Sequence, residues 1–266
     1  MRDFVIALQF LTRITVNPNL ELTSEDMARS TRMYPLVGLL IGGILAVLYW
    51  AMTSLRAFNG FTVASLIVVA EVLLTGGLHL DGLMDSADGL FSYRPRERLL
   101  EIMKDSRVGA NGALALVCLV VLKIGLISSL RSNQVWLLVV MPVLARWAIV
   151  ELAMSQSHAS GKASLGTSVV GQVRRRELLF ASGGCVILCV ALALLAHFHA
   201  WPFSTLLLAV LGVVWLLVWL VARYIANQAV RKIGGITGDI LGAVVEIGEL
   251  VVLISGLVFA RLLELI

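Results

Sequence analysis

Pro35 to Met52 reads P-L-V-G-L-L-I-G-G-I-L-A-V-L-Y-W-A-M, eighteen residues without a charge. Wound as an α-helix, the run rises about 27 Å, close to the hydrocarbon thickness of a bilayer. Six similar runs follow at 62–80, 108–129, 135–154, 179–199, 204–222 and 240–260. Backbone facing lipid has to satisfy its own hydrogen bonds, so runs of this kind fold as spanning helices. The expectation is an all-α polytopic membrane protein with about seven transmembrane helices. Met1 to Thr12 is too short to cross and precedes no small-x-small cleavage pattern. It reads as an N-terminal interfacial helix, not a signal peptide.

The composition of the 266 residues agrees: 59% are hydrophobic and 14% charged, with a mean hydropathy of +0.94. A soluble domain of this length has too little interior to hide so much apolar surface, which excludes a cytosolic globule. Cys118, Cys185 and Cys189 all sit in apolar runs with no C-x-x-C pair, so they read as small buried hydrophobes and not as a disulfide scaffold. The longest loops, 13–34, 81–107 and 155–178, cannot hold a core of their own. Residues 1–266 therefore read as a single integral-membrane domain.

A net charge of +4 would suit a nucleic-acid partner, but the positions of the cations explain it otherwise. Alternate loops carry Arg2, Arg13, Arg29 and Arg32; Arg94, Arg96, Arg98, Lys104 and Arg107; Lys162 and Arg174 to Arg176; and Arg223, Arg231 and Lys232. Together these are sixteen of the 21 Lys and Arg. The opposite loops hold Arg56, Arg131 and Arg261, and Lys123 and Arg146 fall inside spans. By the positive-inside rule the richer side is cytoplasmic. The reading is a multi-pass membrane protein in contact with lipid and with no nucleic acid. A homo-oligomer is compatible with it.

Chemistry concentrates in Thr75 to Leu90, T-G-G-L-H-L-D-G-L-M-D-S-A-D-G-L. If helical, Asp81, Asp85 and Asp88 fall within about 60° on one face and rise about 10 Å. Like charges so spaced repel, and local stability gives them no reward. A counter-cation offsets them, and hard oxygen ligands without a Cys cluster favour Mg²⁺ or Mn²⁺ over zinc. The bland reading is a solvated acidic loop paired with Arg94, Arg96 and Arg98. The interleaved leucines and Gly77, Gly82 and Gly89 argue against it, since glycine permits close backbone approach to a ligand. His79 is open to several roles: proton shuttle, phosphate donor, partner of a ligating group, or structural cap.

A second group is Gly234 to Glu249, G-G-I-T-G-D-I-L-G-A-V-V-E-I-G-E. Asp239 and Glu246 share a helix face, and Glu249 lies roughly 15 Å from Asp239 along the axis, deep in the membrane. Thr237 and Gly238, at a helix start, can present a hydroxyl and backbone N–H groups to phosphate, or form an ordinary turn. Glu71, Glu246 and Glu249 have candidate partners in Lys123 and Arg146. Lys104 and Arg107, with Asp105 and Ser106 before the third span, are placed to meet an anionic ligand. Arg174 to Arg176 reads as a stop-transfer or lipid-headgroup cluster. The sum is a carboxylate-held Mg²⁺ site at the cytoplasmic face that handles a phosphorylated substrate.

Phe10-Leu-Thr-Arg13, Tyr34 to Gly42, Thr75 to Leu90, Arg96 to Gly109 and Gly234 to Glu249 together resemble the cobalamin synthase (adenosylcobinamide-GDP ribazoletransferase) family along nearly the whole chain. Met84 and Ser86 stand where Ala and Thr are more usual, and neither is a proposed ligand. The resemblance implies a Mg²⁺-dependent transfer of adenosylcobinamide phosphate from adenosylcobinamide-GDP to α-ribazole or its 5′-phosphate. It yields adenosylcobalamin or its phosphate and releases GMP, with a ribose 3′-hydroxyl attacking the phosphorus next to the aminopropanol. The substrates are thus small corrinoid and nucleoside molecules. On this basis Asp81, Asp85, Asp88 and Asp239 are the expected metal ligands. Lys104, Arg107, Thr237 and Gly238 are expected at the substrate, and a carboxylate or His79 is expected to take the hydroxyl proton. The Asp pattern is similar in its chemistry to that of membrane CDP-alcohol phosphotransferases, the alternative enzyme reading. A secondary transporter is the reading from another class, with Glu71, Lys123, Arg146, Glu151, Glu246 and Glu249 as ion-coupling groups.

Overall fold

The computed structural model describes residues 1–105, 107–159, 169–198 and 204–263. Ser106, Lys162 and the last residue of the 179–199 run, all named above, lie outside them. Eleven α-helices are present among the described residues: α1 (Arg2–Leu11), α2 (Ser24–Ser30), α3 (Tyr34–Leu55), α4 (Gly60–Thr75), α5 (Leu78–Leu90), α6 (Arg96–Ile102), α7 (Ala110–Ser128), α8 (Trp136–Ser155), α9 (Arg175–Phe198), α10 (Ser204–Ile233) and α11 (Gly238–Leu263). The only β-type pairing among them is one parallel bridge, His158 to Ile236. Six helices are long and apolar enough to cross a membrane, namely α3 and α7 to α11; α4 and α5 reach that length only when counted together, across a bend. The expected all-α polytopic architecture is therefore the one observed.

α8 is the hub of the bundle and is buried almost throughout, from Leu137 to Ala153. It takes α3 at very close range because Gly38 and Gly42 have no side chains to hold it off. A Cβ on Gly42 would stand 2.6 Å from the Leu138 carbonyl oxygen. That carbonyl lacks its usual helical donor, since the residue four further on is Pro142. Outward-facing Trp50, Leu73, Leu122, Ile187 and Leu216 are exposed and make the apolar belt that lipid covers.

The expected second span, 62–80, is not one helix. Asn59 caps α4 by accepting the Thr62 N–H at 2.8 Å, but α4 stops at Thr75. Gly76 and Gly77 follow with φ of 67° and 73°, a left-handed pair that glycine adopts without steric cost. Across them the chain turns by 92°. α5 therefore runs across the end of the bundle. It lies at the same end as α6, the starts of α3, α7, α9 and α11, and most of the Lys and Arg; we call this the basic end. α10 also departs from expectation. It continues to Ile233, so Arg223, Arg231 and Lys232 ride on helix and not on a loop after 222.

At the basic end α1 is clamped to α2 by ion pairs. Asp3 meets Arg29 at 3.0 Å and Arg32 at 2.5 Å, and Asp26 meets Arg2 at 3.1 Å and Arg29 at 3.0 Å. Beneath them Ile6, Leu11 and Met27 are buried. One face of the N-terminal helix is thus covered by protein, and the chain leaving it is delivered to the α4–α5 bend.

Candidate active site

α5 lies over the first turns of α11 with bare backbone at the crossing. A Cβ on Gly82 would stand 2.8 Å from the Asp239 carbonyl oxygen and 3.2 Å from the Gly242 Cα. That approach brings Asp81 and Asp85, on either side of Gly82, against the turn that carries Asp239. Burial pushes the Asp85 carboxyl up to about 7, helped in turn by Asp81, Asp239 and Asp88. The four sequence-selected carboxylates therefore form one electrostatic group. A cation relieves the crowding that holds Asp85 toward its protonated form.

Their environments differ. Asp81 is exposed and Asp85 is half-buried. Asp88 is turned to α7, accepting the backbone N–H of Gly109 at 2.7 Å on one oxygen and that of Gly112 at 2.8 Å on the other. A carboxylate there pairs N–H groups that have no partner within their own helix and complements the positive end of the helix dipole. Asp88 thus caps α7 from a different helix. Among the described residues no three His, Cys, Asp or Glu side chains converge as a ready metal cage. Mg²⁺ would not require such a cage. That ion typically takes one or two carboxylates and completes its shell with phosphate oxygens and water.

Thr237 is committed locally. Its hydroxyl accepts the Ile240 N–H at 3.3 Å and lies 3.2 Å from an Asp239 oxygen, so it caps α11 and orients the carboxylate. Gly238 opens the helix at intermediate exposure. The turn before it is fixed from outside. The Arg96 side chain lies against Gly234 and donates to the Ala159 carbonyl at 3.0 Å, and in the bridge Ile236 donates its N–H to the Ser157 carbonyl at 2.9 Å and accepts that of Ala159 at 3.1 Å. His158, on that bridge, is close enough to act electrostatically on Asp239.

Of the expected phosphate-binding cations, Lys104 is exposed and Arg107 faces its own neighbour. Arg107 grips Asp105 at 2.7 and 3.0 Å and, mainly by that hydrogen bonding, holds the Asp105 carboxyl down to about 2. The structure instead brings Arg13 to the acidic face. Its backbone N–H donates to the Leu74 carbonyl at 2.7 Å, and its guanidinium lies across Gly76, where a Cβ would fall 2.8 Å from Cζ. Arg13 and Asp81 together line a cavity of about 630 Å³ with Gln9, Thr12, Gly76 and Gly77. A count of cations by loop gives Arg13 to topology alone. Its place in Phe10-Leu-Thr-Arg13 was the signal available.

Below the crossing, the in-membrane charges answer one another. The Lys123 ammonium lies 2.8 Å from Glu71 and 3.2 Å from Glu246, and it also contacts Glu249. Arg146 binds the other oxygen of Glu249 and reaches the Nδ1 of buried His79 at 3.5 Å. Glu151 pairs with Arg223 at 3.2 Å. The residues that would couple ions in a transporter thus form ion pairs that join α4, α7, α8 and α11, with His79 enclosed at their upper edge.

These features define a polytopic membrane protein with an acidic helix laid across one end of its bundle, beside an arginine-lined cavity. The chain belongs to the cobalamin-5-phosphate synthase family, which it matches over residues 3–258. It is similar to the adenosylcobinamide-GDP ribazoletransferase of Caldanaerobacter subterraneus subsp. tengcongensis, 38% identical over 96% of this chain and 97% of the relative. The proteins of the same name from Clostridioides difficile (36% identical, 96% of each chain) and Acetivibrio thermocellus (38%, 94% of each chain) are also similar. No solved structure matches.

Proposed function

We propose that this protein is a Mg²⁺-dependent adenosylcobinamide-GDP ribazoletransferase of phosphotransferase type. In this reading it is held in the inner membrane with its active site on the cytoplasmic face. It joins the adenosylcobinamide phosphate of adenosylcobinamide-GDP to α-ribazole or its 5′-phosphate and releases GMP. The observation that carries the reading is the α5–α11 crossing. It gathers carboxylates beside a cavity containing Arg13, in a chain similar along nearly its whole length to enzymes of that name.

The chemistry follows from charge. A ribose hydroxyl oxygen of the acceptor forms a bond to the phosphorus bearing the corrinoid side chain, and the bond from that phosphorus to the GMP oxygen breaks. Negative charge builds on GMP as it leaves, and a fixed cation lowers the barrier. Arg13 fills that role better than Lys104 or Arg107, because it shares a cavity with Asp81. Asp81, Asp85 and Asp239 would hold Mg²⁺, which when bound neutralises the pyrophosphate. Asp88 supports them by fixing α7, and Thr237 does so by orienting Asp239. The hydroxyl proton passes to a carboxylate of the α5 face, since His79 is enclosed against Arg146.

The test is incubation of purified protein in detergent with adenosylcobinamide-GDP, α-ribazole phosphate and Mg²⁺. GMP and the joined cobamide phosphate are expected in equal amounts. Absence of GMP, with CMP released from a CDP-alcohol instead, would overturn the assignment.

A further inference from the structure

Glycine tolerates many backbone angles, so the Gly76–Gly77 bend by itself leaves the direction of α5 weakly determined. Two residues beyond it stands His79, 3% exposed. Its backbone rests on α11: a Cβ on Gly242, one helical turn from Asp239, would stand 3.2 Å from the His79 carbonyl oxygen. Its side chain reaches α8, where the Arg146 Nη2 lies 3.5 Å from Nδ1. Arg146 is itself 1% exposed, and its Nη1 binds Glu249, which follows Asp239 on α11. One guanidinium therefore touches both helices that carry the acidic group.

We propose that His79 is a positioning residue: through Arg146 it locks α5 to α11 and so sets the place of Asp81 and Asp85 relative to Asp239. The proposal rests on the transferase reading and its Mg²⁺ site, and adds what holds that site in register. A guanidinium has donors only, so its contact asks Nδ1 for a lone pair and puts the ring proton on Nε2. That second nitrogen is buried and has no hydrogen-bond partner. A shuttle needs a group that takes the proton on, and Nε2 faces none. A ring that served only as packing would gain from being apolar, since a buried N–H without a partner costs stability. What the imidazole supplies and a leucine would not is the acceptor facing Arg146.

The experiment compares His79→Asn, His79→Gln and His79→Leu with wild type in detergent by two readouts. One is the rise of melting temperature with added Mg²⁺, which needs no substrate, and the other is the Mg²⁺ and pH dependence of GMP release. The Asn carboxamide oxygen can take the place of Nδ1, whereas Gln carries its amide to that of Nε2 and Leu has no acceptor. His79→Asn is expected to keep both Mg²⁺ midpoints near wild type. In His79→Gln and His79→Leu both midpoints should rise about tenfold, the lower end of what losing a residue that supports a metal site costs. Saturating Mg²⁺ should then recover most of kcat, and the pH profile should keep its shape in all three variants. Midpoints equal to wild type in Gln and Leu, or raised as much in Asn, would overturn the proposal. So would a loss of kcat in all three that Mg²⁺ does not restore, which would make His79 the proton acceptor. Should His79→Leu fail to fold, the comparison of Asn with Gln decides. Thermal midpoints that shift as expected in a protein whose wild type releases no GMP would uphold the positioning role and overturn the transferase reading.

Discussion

Gly82 and Gly242 face each other so closely that a Cβ on either would stand 3.2 Å from the Cα of the other. Their contact sets the height of the acidic helix above α11. Gly82→Val therefore forces the helices apart and separates Asp85 from Asp239. GMP release should fall by at least tenfold while membrane insertion and expression persist. Full activity in Gly82→Val would show that the crossing distance does not matter.

Asp85→Asn and Asp239→Asn each remove one charge from the group proposed to hold Mg²⁺. Loss of a group that stabilises developing charge costs about 10²–10³ in turnover. Both variants should lose activity on that scale and need more Mg²⁺ for what remains. A Mg²⁺ titration identical to wild type would remove the residue from the metal set.

Asp88 should behave differently from its neighbours on the stripe. Asp88→Ala leaves the N–H groups of Gly109 and Gly112 unpaired, and loss of a helix cap costs about 0.5–2 kcal/mol. Thermal unfolding in detergent should move down for Asp88→Ala and stay near wild type for Asp81→Ala. Equal melting temperatures would argue that the cap contributes nothing.

Protons and Mg²⁺ compete for Asp85. Its carboxyl is raised to about 7, first by burial, so the folded protein binds this proton more tightly than the unfolded chain does. Without metal, that contribution to stability is present at low pH and is lost as pH rises from the ordinary carboxylate range through about 7. Added Mg²⁺ should restore it above 7. The Mg²⁺ concentration giving half-maximal activity should increase as pH is lowered from 8 to 6. A midpoint independent of pH would exclude Asp85 as a ligand.

Arg13→Ala should raise the KM for adenosylcobinamide-GDP and lower kcat, with Arg13→Lys recovering part of each. The acceptor KM should not move. Loss confined to the acceptor KM would remove Arg13 from the proposed donor site.

Much of this was legible in the residues, and the exceptions share a cause. Charge-free runs such as 35–52 announce spanning helices because lipid leaves the backbone one solution. The Asp81, Asp85 and Asp88 stripe announces itself because nothing in local stability explains it. The bend at Gly76 and Gly77 was hidden, since Leu78 and Leu80 prolong the apolar pattern past it. Asp88 as a cap depends on Gly109 and Gly112, 21 and 24 residues away. Arg13 depends on how α1 docks. Local pattern reports which residues are costly, and only the packed chain shows which of them share a cavity.

The ion pairs beneath the crossing bear on how the protein is made. Lys123 and Arg146 emerge from the ribosome 126 and 103 residues before Glu249, the carboxylate that touches both. Until then Glu71 is their only in-span anion of the final network. α7 and α8 cannot be released singly into the bilayer without exposing charge to hydrocarbon. The network is complete only once α11 has joined them, so α11 is the helix that closes it.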